Sequence, residues 1–173
     1  QGNHQSAIAT LSKAITNHPN AAAVHITRGL SYRALGQLDN AQRDFTTAID
    51  CADNPADAYF QRGQLFHEQD RASEALNDWQ RAIDISPNHA NAHFQIGIAQ
   101  SQNEEFTAAL ASFNRVLEVN PNQAEAYLKR GNVRQQLGDM EGAIADWQIA
   151  VLNDASLAAH IPAAAQPDRL API

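Results

Sequence analysis

Apolar and polar residues are arranged along most of this chain with the spacing of an α-helix. Apolar residues recur three and four positions apart, as at Ala7, Leu11 and Ala14, which places them on one helix face. The pattern also repeats as a whole. Residues 127–131 begin with a ring and end in glycine, and so do the stretches 34, 68 and 102 residues earlier. This period predicts an array of paired helices stacked on one another.

The period also sets the boundaries of the predicted array, which spans residues 1–154 and is followed by an irregular tail at 155–173. Its parts are a half-repeat at 1–20 and four full repeats at 22–55, 56–89, 90–123 and 124–154. Each full repeat is predicted to hold two helices joined by a turn. A Pro-Asn pair between repeats is expected to end one helix and cap the next. The half-repeat lacks a first helix, so we expect either further chain upstream or another molecule packed on its apolar face.

Four columns of residues recur in every full repeat and indicate its type. They are a ring (His25, Tyr59, His93, Tyr127), a glycine (Gly29, Gly63, Gly97, Gly131), an alanine (Ala41, Ala75, Ala109, Ala143) and an aromatic residue (Phe45, Trp79, Phe113, Trp147). With the 34-residue length, these columns resemble the tetratricopeptide repeat over about residues 2–154. The resemblance implies an all-α fold, a right-handed superhelical solenoid of helix-turn-helix repeats. Glycine would allow two helices to approach closely, and the aromatic residue would fill the core between neighbouring repeats.

One pair of charged columns varies together within this single sequence. In three repeats an Arg precedes the glycine and an Asp follows the Arg sixteen residues later. The pairs are Arg28 with Asp44, Arg62 with Asp78, and Arg130 with Asp146. In the third repeat Ile96 and Ser112 replace both members. We expect each pair to be a partly buried ion pair that links the two helices of its repeat. The pattern resembles a bacterial type of the repeat with Arg-Gly and Asp. The alternative is a ladder of arginines that binds a ligand.

In the family that this chain resembles, the first helices line a concave groove that binds partner segments. Fixed offsets from the glycines give the residues that would face it. Apolar residues three places before each glycine predict a hydrophobic ridge, and neighbouring amides suit the backbone of an extended peptide. The predicted groove residues are Ile26, Leu30, Arg33, Phe60, Gln61, Gln64, His67, Phe94, Gln95, Ile98, Leu128, Lys129 and Asn132. The alternative is that Phe60 and Phe94 are buried between adjacent first helices.

Composition narrows the classes of function. The net charge of −7 argues against a nucleic-acid binder, because such proteins carry a basic face. No Asp or Glu precedes Asp39, so an acidic partner would be steered towards the N-terminal end. No apolar run reaches the ~18 residues that would span a bilayer, so we expect no direct membrane insertion. The single Cys51 fits a reducing compartment and favours the cytoplasm. An exported or anchored form stays open, because the sequence starts at Gln1.

Motifs for catalysis and for cofactors are missing from the sequence. We find no phosphate-binding loop, cysteine pair or nucleophile elbow, and therefore predict no catalytic residue, no cofactor and no metal site. His89 and His93 are four residues apart, a spacing that can chelate a metal on a helix. His93 nevertheless stands in the ring column, so a core position explains it better.

The sequence therefore predicts a protein-interaction scaffold or assembly adaptor that is not an enzyme and whose partners are proteins or peptides. One alternative is a homo-oligomer formed through the half-repeat or the tail. Another is a regulatory fragment of a longer enzyme or membrane-anchored protein. In the tail, residues 156–161 could form one helical turn, and the rest is expected to be extended. Ile161, Leu170 and Ile173 would cover the end of the array, or the tail would lie in a groove of this or a neighbouring molecule.

Overall fold

A computed structural model of the chain describes residues 2–165, and all regular structure within that range is helical. The α-helices are α1 (Gly2–Asn17), α2 (Ala22–Ala34), α3 (Leu38–Cys51), α4 (Ala56–Glu68), α5 (Ala72–Ile85), α6 (Ala90–Gln102), α7 (Phe106–Val119), α8 (Ala124–Gln136) and α9 (Met140–Asn153). Two short 3-10 helices, Ala155–His160 and Ala163–Ala165, follow α9. The predicted all-α fold of helix-turn-helix repeats is confirmed.

The helices belong to two compact units. The first unit ends at His89 and contains α1 to α5, and the second begins at Ala90 and contains α6 to α9 with the two 3-10 helices. In the first unit α2 pairs with α3 and α4 with α5, while α1 packs on α2 and α3 packs on α4. In the second unit α6 pairs with α7, α8 pairs with α9, and α7 packs on α8. The boundary between the units coincides with that between the second and third predicted repeats.

The turn inside each hairpin has the same left-handed backbone conformation at the same place. Gly36 and Gly138 have φ angles of 72° and 84°, and Asp70 and Glu104 have φ angles of 58° and 63°. These positions are 34 residues apart along the chain. Glycine adopts this conformation freely, whereas a side chain makes it costly. The two turns without glycine therefore keep the geometry of the other two at a local cost in energy.

Three first helices do not have the expected Asn at their N-cap position. α2, α4 and α8 have Ala21, Pro55 and Gln123 at the N-cap position, and within residues 2–165 none of these caps accepts a side-chain hydrogen bond. Each Asn stands one residue before the cap. At α4 the side-chain oxygen of Asn54 still accepts a hydrogen bond from the N–H of Ala56, the first residue of the helix, at 3.1 Å. At α2 and α8 a backbone turn directs the chain into the helix. The N–H of Ala21 donates to the carbonyl of His18 at 3.2 Å, and the N–H of Gln123 donates to Asn120 at 3.2 Å.

The core of each hairpin forms where an aromatic ring of the second helix lies on a glycine of the first. A Cβ atom placed on Gly63 would be 2.6 Å from the Trp79 ring, and one on Gly29 would be 2.7 Å from the Phe45 ring. Such distances leave no room for a side chain, which explains the glycine column. The aromatic residues are 0 to 2% exposed. Each ring therefore covers the glycine of its own repeat. Phe45 and Phe113 also share core clusters with Leu65 and Val133 of the following repeats, which agrees with the position between neighbouring repeats expected from the sequence.

Candidate functional site

The three predicted Arg-Asp pairs lie between the first and second helices of their hairpins. In each pair the Nε and NH2 groups of Arg donate to the two oxygens of one carboxylate. The distances are 2.7 and 2.6 Å for Arg28 and Asp44, 2.7 and 2.9 Å for Arg62 and Asp78, and 2.9 and 2.7 Å for Arg130 and Asp146. The Asp residues are 1 to 4% exposed. The hydrogen bonds to Asp44 and Asp78 raise the pKa values of the Arg28 and Arg62 guanidinium groups, against the opposing effect of burial.

Each of these arginines also has a second hydrogen-bond partner, which the sequence analysis missed. The NH1 group donates to a side chain of the preceding second helix, sixteen residues earlier in sequence. The acceptors are Ser12 at 3.1 Å for Arg28, Thr46 at 3.2 Å for Arg62 and Asn114 at 2.8 Å for Arg130. A polar residue sixteen places before each Arg was the available signal. The arginines therefore connect three helices rather than two, which favours a structural role over a ligand-binding ladder.

The third repeat replaces this network with other contacts. Ile96 is 6% exposed and packs as an apolar residue at the Arg position. Ser112, at the Asp position, donates its hydroxyl to the side-chain oxygen of Gln100 at 2.7 Å. The hairpin of α6 and α7 thus forms without the ion pair, and both replaced residues have a role that fits their chemistry.

The histidines have structural surroundings. His25 is 5% exposed, and its Nε2 lies 2.8 Å from the carbonyl oxygen of Pro19, while its Nδ1 lies 3.3 Å from Asp44. His89 contacts the carboxylate of Asp57 at 3.1 Å, and its ring centre is 5.0 Å from that of Phe60. Among the described residues there is no group of three or more His, Cys, Asp or Glu that could hold a metal ion.

Three of the four residues of the predicted hydrophobic ridge are buried, which agrees with the burial that the alternative expected for Phe60 and Phe94. Phe60 and Phe94 are 8% exposed and Leu128 is 7% exposed. Phe94 contacts the ring of Phe113 edge-on with the centres 5.9 Å apart, and Leu128 belongs to the core cluster around Trp147. The residue after the ring column is thus turned into the core, because the buried face of each first helix is wider than the single column assumed. Ile26, the fourth member, is half-buried.

The other predicted groove residues stay at the surface of their units. His67, Lys129, Asn132 and Leu30 are exposed, and Leu30 is 38% exposed although it is apolar. The remaining members are half-buried: Arg33, Gln61, Gln64, Gln95 and Ile98.

In the first unit two of these side chains are joined across α2 and α4. Arg33 donates to the side-chain oxygen of Gln61 at 3.2 Å and pairs with Glu68 at 3.1 Å. The ring centre of His67 lies 5.7 Å from that of Trp79. Arg33, Gln61 and His67 therefore have defined positions before any partner binds.

Asn132 and Gln64 stand at equivalent positions of their repeats, but they differ in hydrogen bonding to the nearby tryptophan. Asn132 accepts a hydrogen bond from Nε1 of Trp147 at 2.9 Å. At the same place two repeats earlier, Nε1 of Trp79 and Oε1 of Gln64 are both buried, and neither has a hydrogen-bond partner among residues 2–165. Asn132 is thus tied to the core, whereas the amide oxygen of Gln64 is unpaired.

Comparison with known proteins gives a consistent picture. The family model described as tetratricopeptide repeat matches residues 22–54, and the one described as TPR repeat matches residues 63–104 and 101–138. Together they cover more than half of the 173 residues. Among curated proteins no sequence matches this chain. No helix within residues 2–165 is long and apolar enough to cross a membrane.

Solved structures of low sequence identity share the fold. The chain is similar to a crystal structure of MamA, with a TM-score of 0.74 and 21% identity over 91% of this chain and 92% of that one. It is similar to YrrB, described as a TPR protein with an unusual peptide-binding site, with a TM-score of 0.69 and 24% identity over 92% and 83% of the two chains. It also matches PilF of Pseudomonas aeruginosa, with a TM-score of 0.79 and 19% identity over 88% and 69%.

The 34-residue period, the glycine covered by an aromatic ring in each hairpin and the matches of the family models all agree. The chain belongs to the tetratricopeptide-repeat family of protein-interaction scaffolds.

Proposed function

We propose that the chain binds extended segments of partner proteins along the first helices of its repeats, and that it acts by binding and not by catalysis. The observation that carries this proposal is a series of amide and charged side chains at the surface of these helices. In the first unit they are Gln61 and Gln64, and in the second unit they are Gln95, Lys129 and Asn132. Their apolar neighbours Phe60, Phe94 and Leu128 are buried, so recognition depends mainly on polar groups.

The chemistry of these side chains suits a peptide backbone. Each amide has an acceptor oxygen and two donor hydrogens, which can pair with the carbonyl and N–H groups of an extended chain. The oxygen of Asn132 already accepts from Trp147 and that of Gln64 is buried, so these two side chains would pair mainly through their NH2 groups. Leu30 and Ile98 add the apolar surface that a partner side chain would contact, and Lys129 would attract a carboxylate. YrrB, which has a similar fold and is described as having a peptide-binding site, supports this use of the fold.

We also infer that the Arg-Gly and Asp pattern marks a bacterial type of this repeat that is held together by its ion pairs. The recurrence of the same hydrogen bonds in three repeats supports the part of this inference that concerns the ion pairs. These arginines are engaged with Asp44, Asp78 and Asp146, so they contribute to the scaffold, and the amides of the first helices are left to contact the partner.

The test begins with peptides selected from a random display library on the intact chain. The variant Gln61→Ala/Gln95→Ala/Lys129→Ala is expected to bind the selected peptides at least about tenfold more weakly, equal to about 1.4 kcal/mol. Its melting temperature should stay within a few degrees, because none of the three side chains is fully buried, although the hydrogen bond from Arg33 to Gln61 is lost. Fluorescence anisotropy with labelled peptides gives the dissociation constants.

A matched control changes amides on second helices. Gln80 is exposed and donates to Asp84 of its own helix, and Gln148 is half-buried on α9. Gln80→Ala/Gln148→Ala should bind the selected peptides as the unchanged protein does. Binding that survives the change at Gln61, Gln95 and Lys129 but is lost in this control would contradict the proposal.

A further inference from the structure

The outward side of the last second helix differs from that of the other second helices. Along α9 the residues Glu141, Ala145, Ile149 and Leu152 follow one another at helical spacing and are all exposed; we call them the α9 stripe. Its equivalents are found by stepping back 34 residues at a time. They are Thr107, Ala111, Arg115 and Glu118 on α7; Ser73, Asn77, Arg81 and Asp84 on α5; and Asp39, Arg43, Thr47 and Asp50 on α3.

Polar or charged residues thus occupy the last two stripe positions in three helices, and aliphatic residues occupy them in α9. On α7 the same two positions form a salt bridge between Arg115 and Glu118. On α9 Ile149 is 36% exposed and Leu152 is 84% exposed. The fold gains little from aliphatic side chains there, because Leu152 is almost as accessible as in an unfolded chain. Two exposed aliphatic side chains at positions that are polar on the other second helices make a candidate binding surface. Ile85 of α5 and Val119 of α7 are also exposed, at 39% and 38%, but each stands one position further along its helix than Leu152 does.

The charges beside the α9 stripe have one sign. Glu141 begins the stripe and Asp154 follows its last residue, and residues 135–165 contain no Lys or Arg. The carboxylate of Asp154 accepts hydrogen bonds from the backbone N–H of Ser156 at 3.0 Å and from its hydroxyl at 2.7 Å. Both bonds lower the pKa of Asp154, and the bond from the Ser156 hydroxyl has the larger effect. The carboxylate therefore stays charged at neutral pH.

This charge arrangement selects between possible occupants. A second copy packed antiparallel through the same stripe would bring Glu141 of one chain close to Asp154 of the other. Like charges in such a contact oppose association. The net charge of −7 on each chain adds to that repulsion. A segment with positive charges on both sides of an apolar face has no such conflict.

We propose that the α9 stripe is a docking site for an amphipathic helix of another protein whose aliphatic side chains are flanked by Lys or Arg. The stripe runs from Glu141 to Leu152, about 16 Å along the helix axis, which a partner helix of about three turns would match. Ile149 and Leu152 would contact the aliphatic side chains, and Glu141 and Asp154 would pair with the flanking cations. This surface is separate from the groove residues, which belong to the first helices.

The probe is a synthetic 14-residue peptide of leucine and lysine with the leucines on one helix face. A peptide of the same pattern with glutamate in place of lysine is the comparison. In fluorescence anisotropy with the full chain, the leucine-lysine peptide is expected to bind at least tenfold more tightly than the leucine-glutamate peptide. Salt should weaken the binding, because exposed charge pairs are screened.

The decisive variant is Ile149→Arg/Leu152→Glu, which introduces the residue types found on α7 and leaves the net charge unchanged. It should lower the affinity for the leucine-lysine peptide at least tenfold. Leu152→Ser, at a position that is 84% exposed, is a milder variant that should fold and should also weaken binding. The control Arg115→Glu/Glu118→Arg reverses the charge pair of α7 and should bind as the unchanged protein does.

Three outcomes would overturn the proposal. Equal binding by Ile149→Arg/Leu152→Glu and by the unchanged chain would show general attraction of a cationic peptide to an acidic protein. Equal binding of the leucine-glutamate peptide would remove the charge requirement. A mass that rises with concentration in sedimentation, and that is lost in the same variant, would assign the stripe to a second copy of this chain.

Discussion

At the scale of single residues, the one methylene group by which Gln is longer than Asn decides whether a tryptophan N–H has a hydrogen-bond acceptor. The indole Nε1 atoms of Trp79 and Trp147 occupy equivalent positions in their repeats. Each lies 2.7 Å from the position that a Cβ atom on the glycine of its repeat would take. Asn132 accepts the hydrogen bond of Trp147, whereas the longer Gln64 leaves both its own Oε1 and the Trp79 nitrogen unpaired within the described residues. A buried polar atom without a partner costs about 1–3 kcal/mol.

Replacing Gln64 by Asn should therefore stabilise the protein. Gln64→Asn is expected to raise the free energy of unfolding by about 1 kcal/mol, because it allows the hydrogen bond that Asn132 makes to Trp147. Urea denaturation followed by tryptophan fluorescence measures the change. The reverse exchange, Asn132→Gln, should lower the stability by a similar amount. A loss of stability in Gln64→Asn would show that the Gln64 side chain makes compensating contacts.

The turns offer a second prediction at this scale. Glu104 has a φ angle of 63°, a conformation that costs an ordinary residue about 1–2 kcal/mol. Glu104→Gly should raise the free energy of unfolding by up to about 1 kcal/mol, since part of the relief is offset by the greater freedom of glycine in the unfolded chain. Asp70→Gly should gain less, because Asp tolerates this conformation better. Thermal denaturation detects both changes.

The control for the turns is the opposite change at a turn that already has glycine. In the part of the chain that the structure describes, no atom lies within 4 Å of a Cβ placed on Gly36 or Gly138. Gly138→Ala therefore tests the backbone conformation without a steric clash, and it should destabilise the protein by about 1 kcal/mol. Equal stability of Glu104→Gly and the unchanged protein, beside a clear loss in Gly138→Ala, would show that Glu104 gains compensating contacts.

At the scale of elements, each of the three paired arginines forms hydrogen bonds to two neighbouring helices. Arg62 of α4 holds Asp78 of α5 with two hydrogen bonds and reaches Thr46 of α3 with a third. Taking such a pair out of water is costly, so the intact pair adds little stability relative to apolar residues of similar volume. Removing one member leaves a buried charge without its partner, and that loss is large. The hydrogen-bonded ion pair therefore contributes more to the relative position of the helices than to the free energy of unfolding.

The third repeat provides the design of a double-mutant test. Asp78→Ser and Arg62→Ile introduce the residues that stand at Ser112 and Ile96, and each single change should cost about 3–5 kcal/mol. The double variant Arg62→Ile/Asp78→Ser should cost at least about 2 kcal/mol less than the sum of the two. The free energies come from urea denaturation. Simple additivity would mean that the two side chains do not act as a pair.

An exposed ion pair is the control for this test. Arg115 and Glu118 pair on the surface of α7, with side chains 40% and 60% exposed. Glu118→Ala should change the free energy of unfolding by less than about 1 kcal/mol, because solvent screens such pairs. A cost as large as that of Asp78→Ser would indicate that the loss does not depend on burial.

The helices and their pairing can be predicted from the sequence wherever they depend on the repeat period. The 34-residue period indicates every hairpin of the array, and the joint replacement of Arg and Asp by Ile96 and Ser112 indicates their pairing. A polar residue sixteen places before Arg62 was a signal for its bond to Thr46, but that signal alone is weak, because the bond depends on how consecutive hairpins stack. The sequence also misplaces Phe60, since its exposure depends on how wide the buried face of α4 becomes after packing.

At the scale of the whole molecule, the last hairpin needs a cover that no further repeat supplies within the described residues. Leu157, Ile161 and Ala165 of the segment after α9 are 9%, 6% and 1% exposed and belong to one core cluster with Leu128 and Trp147. This agrees with the expectation that the tail covers the end of the array, as far as residue 165. Leu170 and Ile173, which that expectation also named, lie outside the described residues. Apolar surface at the end of a repeat array has to be covered for the end repeat to be stable.

Cutting back this cover should therefore destabilise one end of the molecule first. Leu157→Ala and Ile161→Ala are each expected to cost about 2 kcal/mol or more, because buried aliphatic side chains are lost. Each repeat contacts only its neighbours, so hydrogen exchange should show lost protection in α8 and α9 while α2 to α5 change less. Leu152→Ala, at an exposed position, should change the stability by less than about 0.5 kcal/mol. Uniform loss of protection in both units would show instead that the molecule unfolds as one cooperative body, and the segment would then stabilise the whole chain.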